Sequence, residues 1–178
     1  MEALTIIEKY YKKDSELYNT LVYHSADVMN KAVSIVISHP ELKVNLDFIM
    51  EASMLHDIGI LMTYAPDIHC FGIAPYICHG YLGAEILERE GYHEHALVCE
   101  RHTGTGLSKE EIIKQKLPLP HRDMLPISLE EQIICFADCF FSKTNLGIEK
   151  SVEEIIEKFE KTGKGSVPQF KIWCDMFL

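Results

Sequence analysis

No stretch of this 178-residue chain is apolar for the ~20 residues that a membrane span needs. The first residues, Met1-Glu2-Ala3-Leu4-Thr5, contain neither the basic segment nor the apolar core of a secretory signal, so a cytoplasmic location is expected. Basic residues are the minority: 17 Lys and Arg face 27 Asp and Glu, a formal net charge of −10. That balance argues against a nucleic-acid polymer or an anionic membrane as partner. None of the six cysteines (Cys70, Cys78, Cys99, Cys135, Cys139, Cys174) forms a Cys-x-x-Cys pair. Zinc-ribbon and thioredoxin readings thereby lose their main signal, and the thiols read as reduced, small apolar residues. No internal repeat is present, and no window alternates with period two over enough residues to predict a strand. Glycine and proline concentrate in 59–80, 103–106 and 117–126, which read as loops.

What is present is helical patterning in an average globular composition, 47% apolar and 25% charged. The length suits one domain, 1–178, with a motif-bearing core over 20–145 and a C-terminal helical extension over 146–178. Three Ser-x-x-Glu capping boxes, Ser108/Glu111, Ser128/Glu131 and Ser151/Glu154, mark helix starts. Asp14-Ser15 and Asp47 are further N-cap candidates. Predicted helices cover roughly 2–12, 15–38, 47–58, 79–90, 93–102, 108–116, 128–145, 151–161 and 166–177. The fold expected is an all-α bundle. In its second helix Leu17, Leu21, His24, Val28 and Ile35 recur at helical spacing, which puts His24 on a buried stripe.

Further histidines and aspartates sit in apolar company. His56-Asp57 follows Ala52-Ser53-Met54-Leu55 at a helix end. His79 opens a helix, and His102 closes one before Thr103-Gly104-Thr105-Gly106. Asp138 is the one charged residue between Ile133 and Phe141. A carboxylate in such surroundings needs a cation, whether metal, Arg or Lys. His39, His69, His93 and His95 read instead as surface residues, and His121-Arg122-Asp123 as a solvated loop. Four His and two carboxylates suit Fe, Mn, Zn or Co. Six ligands exceed what one four-coordinate ion uses and fit two ions that still hold water.

The series His24, His56-Asp57-Ile58-Gly59, His79, His102, Asp138 resembles the HD superfamily in its HDIG variant. Between Met54 and Lys143 the chain is similar to a small, mostly archaeal HDIG group of predicted metal-dependent phosphohydrolases. The segments His79-Gly80-Tyr81-Leu82-Gly83-Ala84-Glu85-Ile86-Leu87, Glu100-Arg101-His102-Thr103-Gly104 and Ser128 to Asp138 carry the likeness. The ligand order also resembles that of symmetrical diadenosine tetraphosphate hydrolases. The resemblance implies an HD-domain helical bundle with a dimetal site in its core. His24, His56, Asp57 and Asp138 would hold one ion; Asp57, His79 and His102 would hold the second, with Asp57 bridging. The ions would be two divalent transition metals, Fe or Mn first, with Zn, Co or Ni as alternatives. A metal-activated water would attack phosphorus in a phosphomonoester or phosphodiester of a small metabolite or nucleotide.

Two departures from the family pattern stand out. HDIG is often followed by Lys or Arg, but here by Ile60-Leu61-Met62, and the 62–78 segment is apolar. Substitutes for the missing base are Lys143, Arg101, Arg122 and His121. Lys143 ranks first, being expected on the same helix as Asp138; Lys143, Arg101 and Asp57 are therefore the residues assigned to catalysis. The His-His-Glu plus Gly-Tyr-Pro signature of cyclic-dinucleotide phosphodiesterases is absent. Alternative readings are an HD-type diiron oxygenase and a non-catalytic metal-binding sensor module. The partner expected is a small phosphorylated substrate, and a homodimer is compatible with the sequence.

Overall fold

The computed structural model describes residues 2–163 and 165–178. It is built from nine α-helices among the described residues: α1 (Glu2–Tyr10), α2 (Glu16–Ser38), α3 (Leu46–Leu55), α4 (His79–Arg89), α5 (His93–Arg101), α6 (Lys109–Lys114), α7 (Leu129–Cys139), α8 (Val152–Thr162) and α9 (Val167–Phe177). The all-α expectation holds. All three predicted capping boxes form, each Ser hydroxyl accepting from the backbone N–H three residues on while the Glu side chain reaches back. Ser15 caps α2. The cap of α3 is Asn45 rather than Asp47: the Asn45 side chain accepts from the Phe48 N–H, which leaves Asp47 in the first turn.

The largest boundary correction concerns α7. It stops at Cys139 instead of running to 145. The Lys150 ammonium donates to the Cys139 and Phe141 carbonyls, and the Lys150 N–H to the Phe140 carbonyl. Carbonyls that a helix end leaves without partners are thus satisfied by a residue about ten positions away. The apolar 62–78 segment is not plain loop either. It forms a small sheet of β1 (Thr63–Ala65), β2 (Cys70–Phe71) and β3 (Ala74–Pro75), ordered β2-β1-β3. β1 runs antiparallel to β2 and parallel to β3. Strands of two or three residues are too short to leave an alternation in the sequence.

Apolar burial divides into two main clusters, and both draw on α2 and α3. Ile7 of α1, Leu21 of α2, Leu55, Ile58, Ile60, Leu87 and Cys99 make the N-terminal one. Val28 and Ala32 of α2, Ile133 and Phe136 of α7, and Phe170, Trp173 and Phe177 of α9 make the other. The C-terminal helices α8 and α9 therefore share a core with α7. Phe136 is ringed by Phe140, Phe170, Trp173 and Phe177, with centroids 5.0–6.3 Å away. His24 of α2, His56 and Asp57 just past the end of α3, His79 at the start of α4 and His102 just past the end of α5 are buried, while Asp138 of α7 is partly exposed.

Candidate metal centre

The centre begins with how its histidines are held. His56, His79 and His102 each donate Nδ1–H to the carbonyl three residues earlier: Ser53 at 2.6 Å, Tyr76 at 2.7 Å and Cys99 at 2.7 Å. Each sits at a helix end, where such carbonyls are available. The bond fixes the tautomer and turns the Nε2 lone pair inward, as a metal ligand requires. His24 comes from the middle of α2, unbroken there, and is 1% exposed.

Asp57 lies just past the end of α3, fully buried. One of its oxygens, Oδ2, is 3.1 Å from His24 Nε2, 3.0 Å from His56 Nε2 and 2.6 Å from Lys143 Nζ. The other, Oδ1, is 3.4 Å from Nε2 of both His79 and His102. Asp138 Oδ1 reaches His24 Nε2 at 2.9 Å and His56 Nε2 at 3.6 Å. Potential ligand atoms thus fall into two groups, His24/His56/Asp57/Asp138 and Asp57/His79/His102, sharing Asp57. The structure brings together all six residues singled out in the sequence. Asp138 differs from expectation in one respect: 18% of its side chain remains exposed, so the centre opens on that side.

Several polar atoms here are buried yet have no hydrogen-bond partner: both Asp57 oxygens, His56 Nε2 and His24 Nδ1. A close approach without hydrogen-bond geometry is what ligands aimed at a common point present. Leaving such groups bare costs roughly 1–3 kcal/mol each, more when charged. The donor set, imidazole nitrogens and carboxylate oxygens, fits borderline divalent cations. The charges tell the same story. Burial pushes the Asp57 carboxyl up, but Lys143 and His56 outweigh it and hold it well below the usual carboxylate range. Burial likewise opposes a charged His56, yet Asp57 and Asp138 raise it to about 10. Burial wins at His79, which falls to about 3.

The remaining sequence-based assignments separate. Lys143 lies beyond the end of α7, not on the helix that carries Asp138, and its ammonium still reaches Asp57. Arg101, assigned to catalysis, turns away: its Nη1 pairs with Glu131 at 2.9 Å, at the start of α7. Arg122 pairs with Glu100 on the surface. His95 is not simply a surface residue, since it packs on Phe48 and Tyr92 with 13% of its side chain exposed. Two tyrosines had no signal in the sequence. Tyr76 stacks on His79, with centroids 4.7 Å apart and planes 20° apart. The Tyr11 hydroxyl donates to the Ile58 carbonyl at 2.6 Å and accepts from the Leu61 N–H, bracing the turn after Asp57.

Beside the centre lies a cleft of about 430 Å³, a size usual for small-molecule sites. His79, His102 and Asp138 form its floor. Tyr76, Ile77 and Ile68 contribute apolar wall, and Lys143 and Thr144 polar wall.

The profile of the HD domain family matches residues 21–141. The chain belongs to the HD domain family, whose members bind divalent metals, and the cluster described above could hold them. A Methanocaldococcus jannaschii protein, MJ0778, described only as uncharacterized, is 36% identical over 140 residues, 78% of this chain and 73% of that one. A Thermoplasma volcanium tRNA (cytidine(56)-2'-O)-methyltransferase is 27% identical over 162 residues. The match takes in 90% of this chain but 41% of that enzyme. A Picrophilus torridus protein of the same name is 33% identical over 109 residues, 61% of this chain and 27% of its own. Among solved structures, the HD domain of the Listeria monocytogenes phosphodiesterase PgpH superposes with a TM-score of 0.58 at 20% identity. That superposition covers 97% of this chain and 94% of the other, and establishes the shared fold.

Proposed function

We propose that the chain is a metal-dependent phosphohydrolase that cleaves a phosphomonoester or phosphodiester of a small metabolite or nucleotide. The observation that carries this reading is the pair of ligand groups joined through the two oxygens of one fully buried aspartate. His24, His56, Asp57 and Asp138 would hold one divalent cation, and Asp57, His79 and His102 the other, with iron and manganese first by donor type. Bound there, two such ions supply charge for phosphoryl oxygens and acidify water at neutral pH. The protein's own part is positional. Three Nδ1–H donors lock the imidazoles, Tyr76 covers the face of His79, and the cleft gives access to His79, His102 and Asp138. Lys143, on the cleft wall beside Asp57, is placed to gather a phosphate oxygen. It takes the role of the base missing after HDIG. A small substrate suits the 430 Å³ cleft, and the net charge of −10 disfavours a polyanionic polymer.

The apolar wall of Ile68, Tyr76 and Ile77 keeps a diiron oxygenase as the second reading. The experiment is an oxygen-free assay of manganese-loaded protein on a panel of phosphomonoesters and phosphodiesters. Release of phosphate or alcohol is expected. No turnover across the panel, together with oxygen consumption by the iron-loaded form on an organic substrate, would transfer the chain to the oxygenases.

A further inference from the structure

The C-terminal extension has no part in the ligand series, yet α8 reaches the cleft through Lys158 and Phe159. The helix is firmly set. Ser151 and Glu154 cap its start, Gly163 ends it in the left-handed conformation, and Ile155 and Phe159 are buried in the core beneath. Phe159 packs edge-on against Phe170 at 5.6 Å. With Phe159 anchored, its neighbour Lys158 is held at the cleft wall, exposed.

Three lysines surround this part of the molecule, and two are already engaged. Lys143 pairs with Asp57, and Lys150 donates to the carbonyls at the end of α7. Among the described residues, the Lys158 ammonium has no ion-pair partner. By contrast Lys161, one turn on, pairs with Glu157 at 3.1 Å. Of the carboxylates lining the cleft, Asp138 belongs to the metal centre and Asp67 stands in the turn after β1. An unpaired cation held on the wall of a cleft whose floor is built for a phosphoryl group is suited to a further anion.

We propose that Lys158 binds a second anionic group of the substrate, remote from the phosphoryl group at the metal centre, and so selects doubly anionic small molecules. The inference rests on the phosphohydrolase reading and narrows its substrate class. The same cleft is lined by Ile77, Tyr76, Phe141 and Phe159, which offer apolar surface for a flat or aliphatic middle. A nucleoside bisphosphate has that chemistry.

The test uses the metal-loaded full chain and calorimetric binding of adenosine 3',5'-bisphosphate, adenosine 3'-monophosphate and adenosine 5'-monophosphate. The unmodified protein should bind the bisphosphate more tightly than either monophosphate. Lys158→Gln should weaken the bisphosphate about fivefold, as expected for one solvent-exposed charge contact. It should leave at least one monophosphate within twofold. Lys158→Glu should weaken the bisphosphate further, and raised salt should shrink every difference. Lys161→Gln, on the same helix but off the cleft, should change nothing. Equal effects of Lys158→Gln on all three ligands, or none on the bisphosphate, would overturn the assignment of Lys158 while leaving the phosphohydrolase reading intact. Metal-loaded protein that binds none of the three and hydrolyses no phosphate ester would overturn both.

Discussion

At the scale of single residues, Asp57 is where the protein concentrates its electrostatic cost. Its carboxylate is wholly buried, faces four imidazoles and an ammonium, and has hydrogen-bond geometry to none of them. Asp57→Ala should strip a ligand from both groups at once, so metal content should fall by more than half and turnover should vanish. Elemental analysis of protein purified without chelator checks this, with exposed His93→Ala as the control that retains both. The metal-free variant should also lose about 3–5 kcal/mol of stability, because Lys143 is left buried without its partner. A variant that kept its metal would remove Asp57 from the centre. The six clustered residues were legible because they form a joint pattern, two of them in apolar helical runs and four at helix ends, whose order resembles the HD signature. Tyr76 and Tyr11 were not, since a tyrosine in apolar surroundings is ordinary. Only the stacking on His79 and the bridge to Ile58 and Leu61 give them a role.

At the scale of elements, the turn after α3 has to pass very close to α4. A Cβ on Gly59 would lie 2.1 Å from the His79 carbonyl oxygen and 2.4 Å from the Gly83 nitrogen. Both atoms are backbone and cannot swing aside. This close approach explains the glycine that follows His56-Asp57-Ile58, and couples the turn bearing Asp57 to the helix bearing His79. Gly59→Ala should therefore cost about 1–3 kcal/mol or more, through displaced backbone. It should also weaken metal binding without removing any ligand. Urea denaturation and metal titration of the same sample measure the two effects; a destabilised protein with unchanged metal affinity would uncouple them. Helix starts were readable from capping boxes because their bonds are local. The end of α7 was not, since Lys150 satisfies its carbonyls from outside the helix. That is why Lys143 was expected on the helix and lies beyond it. Likewise Arg101 was read as facing the site because nothing local shows that Glu131 claims it.

At the scale of the whole molecule, the buried charges set how stability responds to pH. His79 falls to about 3 from an ordinary 6.5, so the unfolded chain takes a proton below pH 6.5 that the native state refuses. Stability must then drop as pH falls, and the depressed Asp57 and Asp138 carboxyls add to the loss at lower pH. His56 has the opposite sign. Raised to about 10, it contributes stability that is complete below 6.5 and lost as pH climbs toward 10. The metal-free protein should thus be most stable near pH 6.5 and weaken on both sides, as chemical denaturation across a pH series would show. Metal loading should remove the His56 part of the alkaline decline, because a cation then occupies the place of its proton, and leave the part due to the buried Cys99 and Cys135 thiols, which burial pushes up. A metal-free profile rising steadily from pH 6 to 9 would contradict the His56 assignment. No described helix is long and apolar enough to cross a membrane, in keeping with the short apolar runs of the sequence.

The ion pair between His24 and Asp138 joins positions 114 residues apart in the chain. A filled centre would therefore behave as a reversible cross-link, closing a long loop much as a disulfide does, with His56, His79 and His102 as further stitches inside it. Helices α8 and α9 lie outside that loop. Their amides should exchange with solvent at nearly the same rate in loaded and stripped protein, while those of α2, α4 and α7 slow sharply on loading. Hydrogen–deuterium exchange resolves this by segment. Uniform slowing over 152–177 would mean that the aromatic cluster around Phe136 transmits the cross-link to the end of the chain. If the expected pattern holds, the helix that carries Lys158 is held by its own packing through Phe159 and Phe170, independently of whether the centre is filled.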